Sequence, residues 1–254
     1  MIIPGLVSVT FREKKPEEII EICVKNGLRA VEWGENAHVM PGDPEGAAVL
    51  RAKTLEAGLT VAAYGSYYRL CTGMDFEPTL ASAKALGAPV IRVWAGNIPS
   101  EEADEAYRAS AAGEAARIAG RAEQEGIKIA FEWHKNTLTD TNESAMDLLK
   151  RADHPNLYCL WQPTVALNME QRCEGIRLLG DRLLNLHTYY WPDGKRGEFA
   201  PGKGEWRQYL SCVPRDSDRF ALLEFVKDNT VEQLETDAKA LIELLTEEGV
   251  YQHG

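Results

Sequence analysis

The chain repeats one pattern from end to end. A short apolar run is followed by a polar loop, a helical stretch and then the next apolar run. Because strands that alternate with helices pair in parallel through right-handed crossovers, this order predicts an α/β fold. The runs are apolar almost throughout, as is typical of parallel strands covered on both faces. The predicted strands are residues 6–11, 30–33, 59–64, 90–94, 127–132, 157–161, 183–187 and 220–225.

Eight strand–helix units with nothing left over predict a closed (β/α)8 TIM barrel that forms a single domain over residues 1–254. A doubly wound open sheet is the alternative. Such a sheet usually carries a GxGxxG phosphate-binding turn after its first strand, and here that turn reads FREKKPEE. The absence of linkers and low-complexity segments from the sequence also favours one domain.

The charge of the chain excludes some partners. Asp and Glu number 39 against 28 Lys and Arg, a net charge of −11, which disfavours nucleic acid and anionic membranes. No run approaches the roughly 18 apolar residues of a membrane span, and the first residues lack the basic region of a signal peptide. The five cysteines are scattered without a CxxC pair. These features predict a protein of the reducing cytoplasm.

The active site of a TIM barrel lies at the carboxyl ends of its strands. Four successive predicted strands end in Glu132, Gln162, His187 and Glu224. Neighbouring strands lie about 4.8 Å apart, so these side chains can converge. Oxygen ligands with one imidazole suit one divalent ion, Mn²⁺ first, with Mg²⁺, Co²⁺, Fe²⁺ or Zn²⁺ as alternatives. The competing interpretation is four unrelated polar residues. His253, in the C-terminal tail, is predicted to take no part.

Aromatic residues accompany these strand ends. Tryptophan offers a large apolar face that suits the C–H faces of a sugar. We predict that Trp33, Trp94 and Trp191 bind the substrate, with capping of the barrel core as the alternative for Trp94. His134, two residues after Glu132, is predicted to hydrogen-bond a substrate oxygen or to orient a neighbouring group. All six tryptophans are predicted at the rim or its margin: Trp33, Trp94, Trp133, Trp161, Trp191 and Trp206.

Several motifs, in order along the chain, resemble the xylose-isomerase-like barrel superfamily and its sugar phosphate isomerase/epimerase group. They read AVEWGEN, VIRVWAG, FEWHKNTLTDT, LNLHTYYW, APGKGEW and ALLEFV. That group includes ketose 3-epimerases, hydroxypyruvate isomerase and inosose dehydratase. The resemblance implies a divalent metal held by Glu132, Gln162, His187 and Glu224. Gln162 stands where the family usually has Asp, so the ligand set carries one negative charge fewer.

The resemblance also implies proton abstraction next to a carbonyl through an enediolate, with Glu132 and Glu224 as the acid–base pair. Return of the proton gives an epimer or an isomer of a sugar or keto-sugar. Loss of a β-substituent instead makes the protein a lyase or dehydratase on a keto-sugar or keto-inositol. Arg196 and Lys203 are predicted to bind a substrate anion or oxyanion. The stretch FVKDNT after the eighth strand lacks a glycine-rich phosphate cradle, which favours an unphosphorylated substrate.

Two other functional classes remain for comparison. A DNA-repair endonuclease of the same superfamily needs a trinuclear zinc site and a basic groove, which five histidines and the acidic charge disfavour. A non-catalytic sugar-binding barrel would explain Gln162, whereas the presence of both acid–base glutamates favours an enzyme. The resemblance implies a homo-oligomer, although the sequence carries no interface signature.

Overall fold

The computed structural model describes residues 1–252, so the prediction for His253 lies outside the described residues. The strands form one closed parallel barrel in the order of the chain, which confirms the predicted fold class. Within residues 1–252, every helix is too short or too polar to cross a lipid bilayer. The strands are β1 (Ile2–Val7), β2 (Ala30–Gly34), β3 (Thr60–Arg69), β4 (Val90–Trp94), β5 (Lys128–Glu132), β6 (Leu157–Trp161), β7 (Leu183–Thr188) and β8 (Arg219–Leu223).

An outer layer of helices surrounds the barrel, one after each strand. Their inward faces are apolar, and together with the outward faces of the strands they form one large buried cluster. This arrangement leaves the carboxyl ends of the strands and the loops beyond them free to form a site. The helices are α1 (Pro16–Lys25), α2 (Pro44–Glu56), α3 (Glu77–Leu86), α4 (Glu105–Glu123), α5 (Asn142–Ala152), α6 (Met169–Leu179), α7 (Lys203–Cys212) and α8 (Val231–Glu247).

The first strand corrects the predicted range of 6–11. Strand β1 begins at Ile2 and closes the barrel by pairing with β8, and residues 8–11 form a 3-10 helix. Pro4 and Gly5 disfavour a strand by local propensity, which is why the sequence pattern missed it. Gly5 is required by close packing, because a Cβ there would lie 2.5 Å from the carbonyl oxygen of Ala30. The hydrogen bonding of β1 to both β2 and β8 therefore outweighs the low strand propensity of Pro4 and Gly5.

The N-cap of α4 is an aspartate, although Ser100 lies only four residues before it. The helix begins at Glu105, and the Asp104 side chain accepts a hydrogen bond of 2.8 Å from the backbone nitrogen of Tyr107. Ser100 instead donates its backbone N–H to Asp140 at 2.9 Å. Ser and Asp are both good N-cap residues, so sequence alone does not decide between them.

The long segment between β7 and α7 is tied to α8 through a buried acid. Asp237 is 2% exposed and accepts hydrogen bonds from the backbone nitrogen of Phe199 and from Gln233 Nε2, both at 2.8 Å. Burial raises the pKa of Asp237, although these two hydrogen bonds act in the opposite direction. The carboxylate is thus a structural acceptor whose ionised form is disfavoured by its surroundings.

We predict that Asp237→Ala lowers the free energy of unfolding by about 1–3 kcal/mol, because it leaves the Phe199 N–H buried without an acceptor. Asp237→Asn keeps an acceptor oxygen and serves as the matched control. A pKa raised in the folded state means that wild-type stability falls as pH rises through that pKa. The amide of the Asp237→Asn variant does not titrate, so the stability of this variant relative to wild type should rise as the pH increases above about 4. Urea unfolding across this range tests both expectations.

Candidate active site

A cavity of about 570 Å³ lies at the carboxyl ends of the strands. Its floor is formed by polar residues from the strand ends, and its walls are largely aromatic. A concave site of this size holds a small organic molecule. Three predicted site residues line its floor: Glu132, Gln162 and Glu224.

A histidine and two acids converge beside this cavity. Their ligand atoms all lie within 4.8 Å of one another, and all three side chains are buried. Nδ1 of His187 lies 3.6 Å from Glu224 Oε2 and 3.9 Å from Glu132 Oε1. This nitrogen is buried and lacks a hydrogen-bond partner within the described residues. The structure therefore brings three of the four predicted metal ligands to one point.

The other ring nitrogen of His187 is held by Glu32, a residue to which the sequence assigned no role. Nε2 lies 2.9 Å from Glu32 Oε2, and both side chains are fully buried. Burial acts to lower the pKa of His187, but the charges of Glu32 and Glu224 outweigh it and raise the pKa well above its usual value. A carboxylate on one nitrogen fixes the ring and aims the other at a ligand. Glu32 lies near the carboxyl end of β2, and this position is the feature of the sequence that could have identified it as a site residue.

Arg92 of β4 balances the acids from inside the barrel. Its Nη1 lies 3.0 Å from Glu132 Oε2, and its Nε lies 3.4 Å from Glu32 Oε1. Burial acts to lower the pKa of Arg92, but these two carboxylates raise it, so the guanidinium stays charged. Gly65 makes room for this arrangement, because a Cβ there would lie 2.6 Å from Glu32 Oε1 and 2.9 Å from Arg92 Nη2.

The two predicted acid–base residues have different surroundings. Glu132 is held by Trp94 Nε1 at 2.7 Å, by Gln162 Nε2 at 3.2 Å and by the Arg92 guanidinium. Gln162 also donates the same amide group to the backbone oxygen of Trp133 at 2.7 Å, which leaves its carbonyl oxygen as the end able to bind a cation. Within residues 1–252, the Glu224 carboxylate has only His187 as an ion-pair partner.

Three predicted substrate contacts lie in the cavity wall. The rings of Trp94 and His134 stack at 4.6 Å, and His134 Nδ1 lies 2.7 Å from the backbone oxygen of Lys135. Trp191 stacks on Tyr189 at 4.4 Å, and its indole nitrogen is buried without a partner in the described part of the chain. These positions allow the predicted contacts with a sugar-like molecule.

The structure places Trp33 elsewhere, which corrects its predicted role. Successive side chains of a strand point to opposite faces, so the inward direction of Glu32 turns Trp33 outward. Trp33 is fully buried, and its indole nitrogen donates to Thr54 Oγ1 of α2 at 3.2 Å. Of the six tryptophans, only Trp94 and Trp191 are partly exposed. The fully or almost fully buried ones are Trp33, Trp133, Trp161 and Trp206.

The two predicted anion-binding residues also lie outside the cavity. Lys203 forms ion pairs with Glu243 and Glu247 on α8, at 3.5 and 3.3 Å. Arg196 is exposed and donates to Asn229 Oδ1 at 2.6 Å, and its guanidinium carbon lies 4.5 Å from the ring centroid of Phe225 at the margin of the cavity. The segment between β7 and α7 is long, so the strand pattern does not predict where these two side chains lie. The basic side chains that line the cavity are instead Arg12, Arg92 and Lys135, with His134 beside them.

A profile of the xylose isomerase-like TIM barrel family matches residues 20–248. The chain belongs to this family. The membership confirms the resemblance expected from the strand motifs, and it agrees with the closed barrel of eight parallel strands.

Known proteins similar to this family member include enzymes. A 3-dehydroshikimate dehydratase of Bacillus anthracis is 27% identical over 272 residues, covering 93% of this chain and 95% of the relative. The crystal structure of the probable 3-DHS dehydratase AsbF from the same organism superposes with a TM-score of 0.75 at 20% identity, covering 95% and 98% of the two chains. The structure of a D-psicose 3-epimerase with D-tagatose from Clostridium cellulolyticum H10 superposes with a TM-score of 0.71 at 17% sequence identity. The match covers 94% of this chain and 97% of the epimerase chain.

We predict that Gly65→Ala lowers the free energy of unfolding by about 1–3 kcal/mol, because the added methyl group collides with the buried Glu32 and Arg92 side chains. Gly113→Ala is the matched control. Gly113 lies in α4 with open space around it, so alanine should be neutral or stabilising by about 0.5–1 kcal/mol. Thermal unfolding of both variants measures the difference. Equal effects of the two substitutions would contradict the close packing of the ion network.

Proposed function

We propose that the protein is a metal-dependent enzyme that removes a proton from a carbon next to the carbonyl of a sugar-like small molecule. The observation that carries the proposal is the buried convergence of Glu132, His187 and Glu224, of which both glutamates line the cavity. The enzymes among its relatives support it, since a dehydratase and a sugar epimerase both occur there. A non-catalytic sugar-binding barrel would not need two acids placed in this way.

The residues present fit a divalent cation. His187 offers a buried nitrogen without a partner among the described residues, two carboxylates lie within reach of it, and Gln162 adds a carbonyl oxygen. This set of one nitrogen and several oxygen donors suits Mn²⁺ first, with Mg²⁺, Co²⁺, Fe²⁺ and Zn²⁺ as alternatives. When bound, such an ion polarises a substrate carbonyl and stabilises the negative charge that develops on its oxygen.

The protein's own side chains remove and return the proton and position the substrate. Glu224 is the freer carboxylate, and we assign it the removal of the proton. Glu132 is held by Arg92, Trp94 and Gln162, so it keeps a fixed position on the other side of the site. In an epimerisation or isomerisation, Glu132 returns the proton. The stacked Trp94 and His134 rings on one wall position the substrate.

A dehydratase is the second candidate, because the relative that matches this chain over almost its full length is named as one. Elimination shares its first step with epimerisation, so the same base serves both reactions. The net charge of −11 makes nucleic acid an unsuitable substrate. Cytoplasmic location and assembly into a homo-oligomer stay predictions from the sequence.

We predict that metal-free protein binds Mn²⁺ and that Glu32→Gln weakens this affinity by about 10–100-fold, because His187 loses its orienting carboxylate. Gln162→Asp should tighten binding, by about tenfold or more, since it adds a negative ligand. Isothermal titration calorimetry with Mn²⁺ measures both effects. A wild-type protein without Mn²⁺ affinity, or a Glu32→Gln variant with unchanged affinity, would contradict the proposed centre.

We predict that Mn²⁺-loaded protein exchanges the proton next to the carbonyl when it is incubated in D₂O with ketoses, 3-keto-sugars or 3-dehydroshikimate. Glu224→Gln should slow the exchange by about 10²-fold or more, because the base is lost. Glu232→Gln, an exposed residue in the first turn of α8, should leave the rate unchanged. Proton NMR follows the loss of signal. Exchange that survives in Glu224→Gln would assign the base elsewhere.

A further inference from the structure

A tyrosine of the cavity wall has no role in the site as described so far. Tyr67 lies near the end of β3, which continues past the predicted end at residue 64 to Arg69. In the ring of eight strands, β3 stands opposite β7, the strand that carries His187. Tyr67 lines the same cavity as Glu132 and Glu224. A substrate in this cavity would therefore lie between the acids and Tyr67.

The hydroxyl of Tyr67 is buried and has no hydrogen-bond partner among residues 1–252. Other buried tyrosines differ, since Tyr189 donates to the Pro163 carbonyl oxygen at 3.0 Å and Tyr209 pairs with Arg172 at 3.0 Å. Buried hydroxyl groups in proteins are almost always partnered, so an exception that faces a cavity marks a place for a ligand atom. A substrate oxygen bound in the cavity would supply the partner that the Tyr67 hydroxyl lacks.

Cations surround the Tyr67 ring. The guanidinium carbons of Arg12 and Arg92 lie 5.6 and 5.9 Å from its centroid, and the centroid of the Trp94 ring lies 6.1 Å away in an edge-on arrangement. Two positive charges stabilise the negative charge that develops on a phenol oxygen as its proton leaves. The two guanidinium groups therefore make this side of the cavity positively charged.

We propose that Tyr67 is the general acid that protonates an oxygen leaving the carbon β to the substrate carbonyl, so that the reaction ends in elimination. This inference rests on the proposed function, with Glu224 as the base. Glu224 takes the α-proton, the C–H electron pair becomes the new C=C bond, and the C–O bond breaks with its electrons on oxygen. The Tyr67 proton joins that oxygen to release water. Glu224 then returns its proton to solvent, and the phenolate regains one, so no oxidant or reductant is needed.

The two half-steps can be measured separately with 3-dehydroshikimate in D₂O. Exchange at the α-carbon is followed by NMR, and loss of water by the ultraviolet absorbance of the conjugated product. Tyr67→Phe should lower the elimination rate by about 10²–10⁴-fold while exchange stays within a few-fold of wild type. Tyr158→Phe, whose ring packs against Lys128 in the barrel wall, is the control and should change neither rate.

Each outcome decides the proposal. Elimination that persists in Tyr67→Phe, or a parallel fall in both rates, would overturn the acid role of Tyr67. Exchange without elimination in the wild type would overturn it too, but would leave the proposed function intact. A wild-type protein that binds Mn²⁺ and yet gives neither signal with this probe or with 3-keto-sugars would remove both proposals together. Circular dichroism and Mn²⁺ affinity confirm that each variant is folded.

Discussion

The site depends on a network of charges buried inside the barrel. Glu32, Arg92, Glu132 and His187 come from four different strands, and each is at most 4% exposed. A buried charge without a partner is strongly destabilising, so each of these side chains constrains the positions of the others. Because Arg92 contacts both Glu32 and Glu132, one guanidinium links the carboxylate that orients His187 to the carboxylate beside it. The network therefore positions the site before any ligand is present.

The regular alternation of strand side chains separates the chemistry of the barrel from its packing. At the ends of β5 and β6, an inward polar residue adjoins an outward tryptophan, as in Glu132 with Trp133 and Trp161 with Gln162. The tryptophans fill the space between the sheet and the helices, where Trp161 packs edge-on against Trp206 at 6.2 Å. Bulky packing directly behind each polar group limits its motion, which preorganises the site.

Periodicity made the fold and most of the cavity floor predictable. The alternation of strands and helices depends on local chemistry, and the carboxyl ends of parallel strands must meet, so Glu132, His187 and Glu224 could be placed together. Arg92 and Glu32 were visible at strand ends, but their pairing depends on which side chain fits beside Gly65. The direction of Trp33 follows from the inward position of its neighbour. The position of Lys203 depends on how a long loop packs against α8, and that of Arg196 on how the same loop meets the segment after β8, and no local pattern encodes either contact.

The charges also give a reason for the neutral residue at position 162. Glu32, Glu132 and Glu224 contribute three negative charges, and Arg92 offsets one of them. The remaining two match the charge of a divalent cation when the His187 ring is neutral, as a ligand must be. An aspartate in place of Gln162 would strengthen the attraction for a cation, but it would add an unbalanced buried charge to the metal-free barrel. Gln162 supplies an oxygen and holds Glu132 through its amide without that penalty. The amide at this position is therefore consistent with a working centre, since the negative charge that the cation requires is already supplied by Glu32.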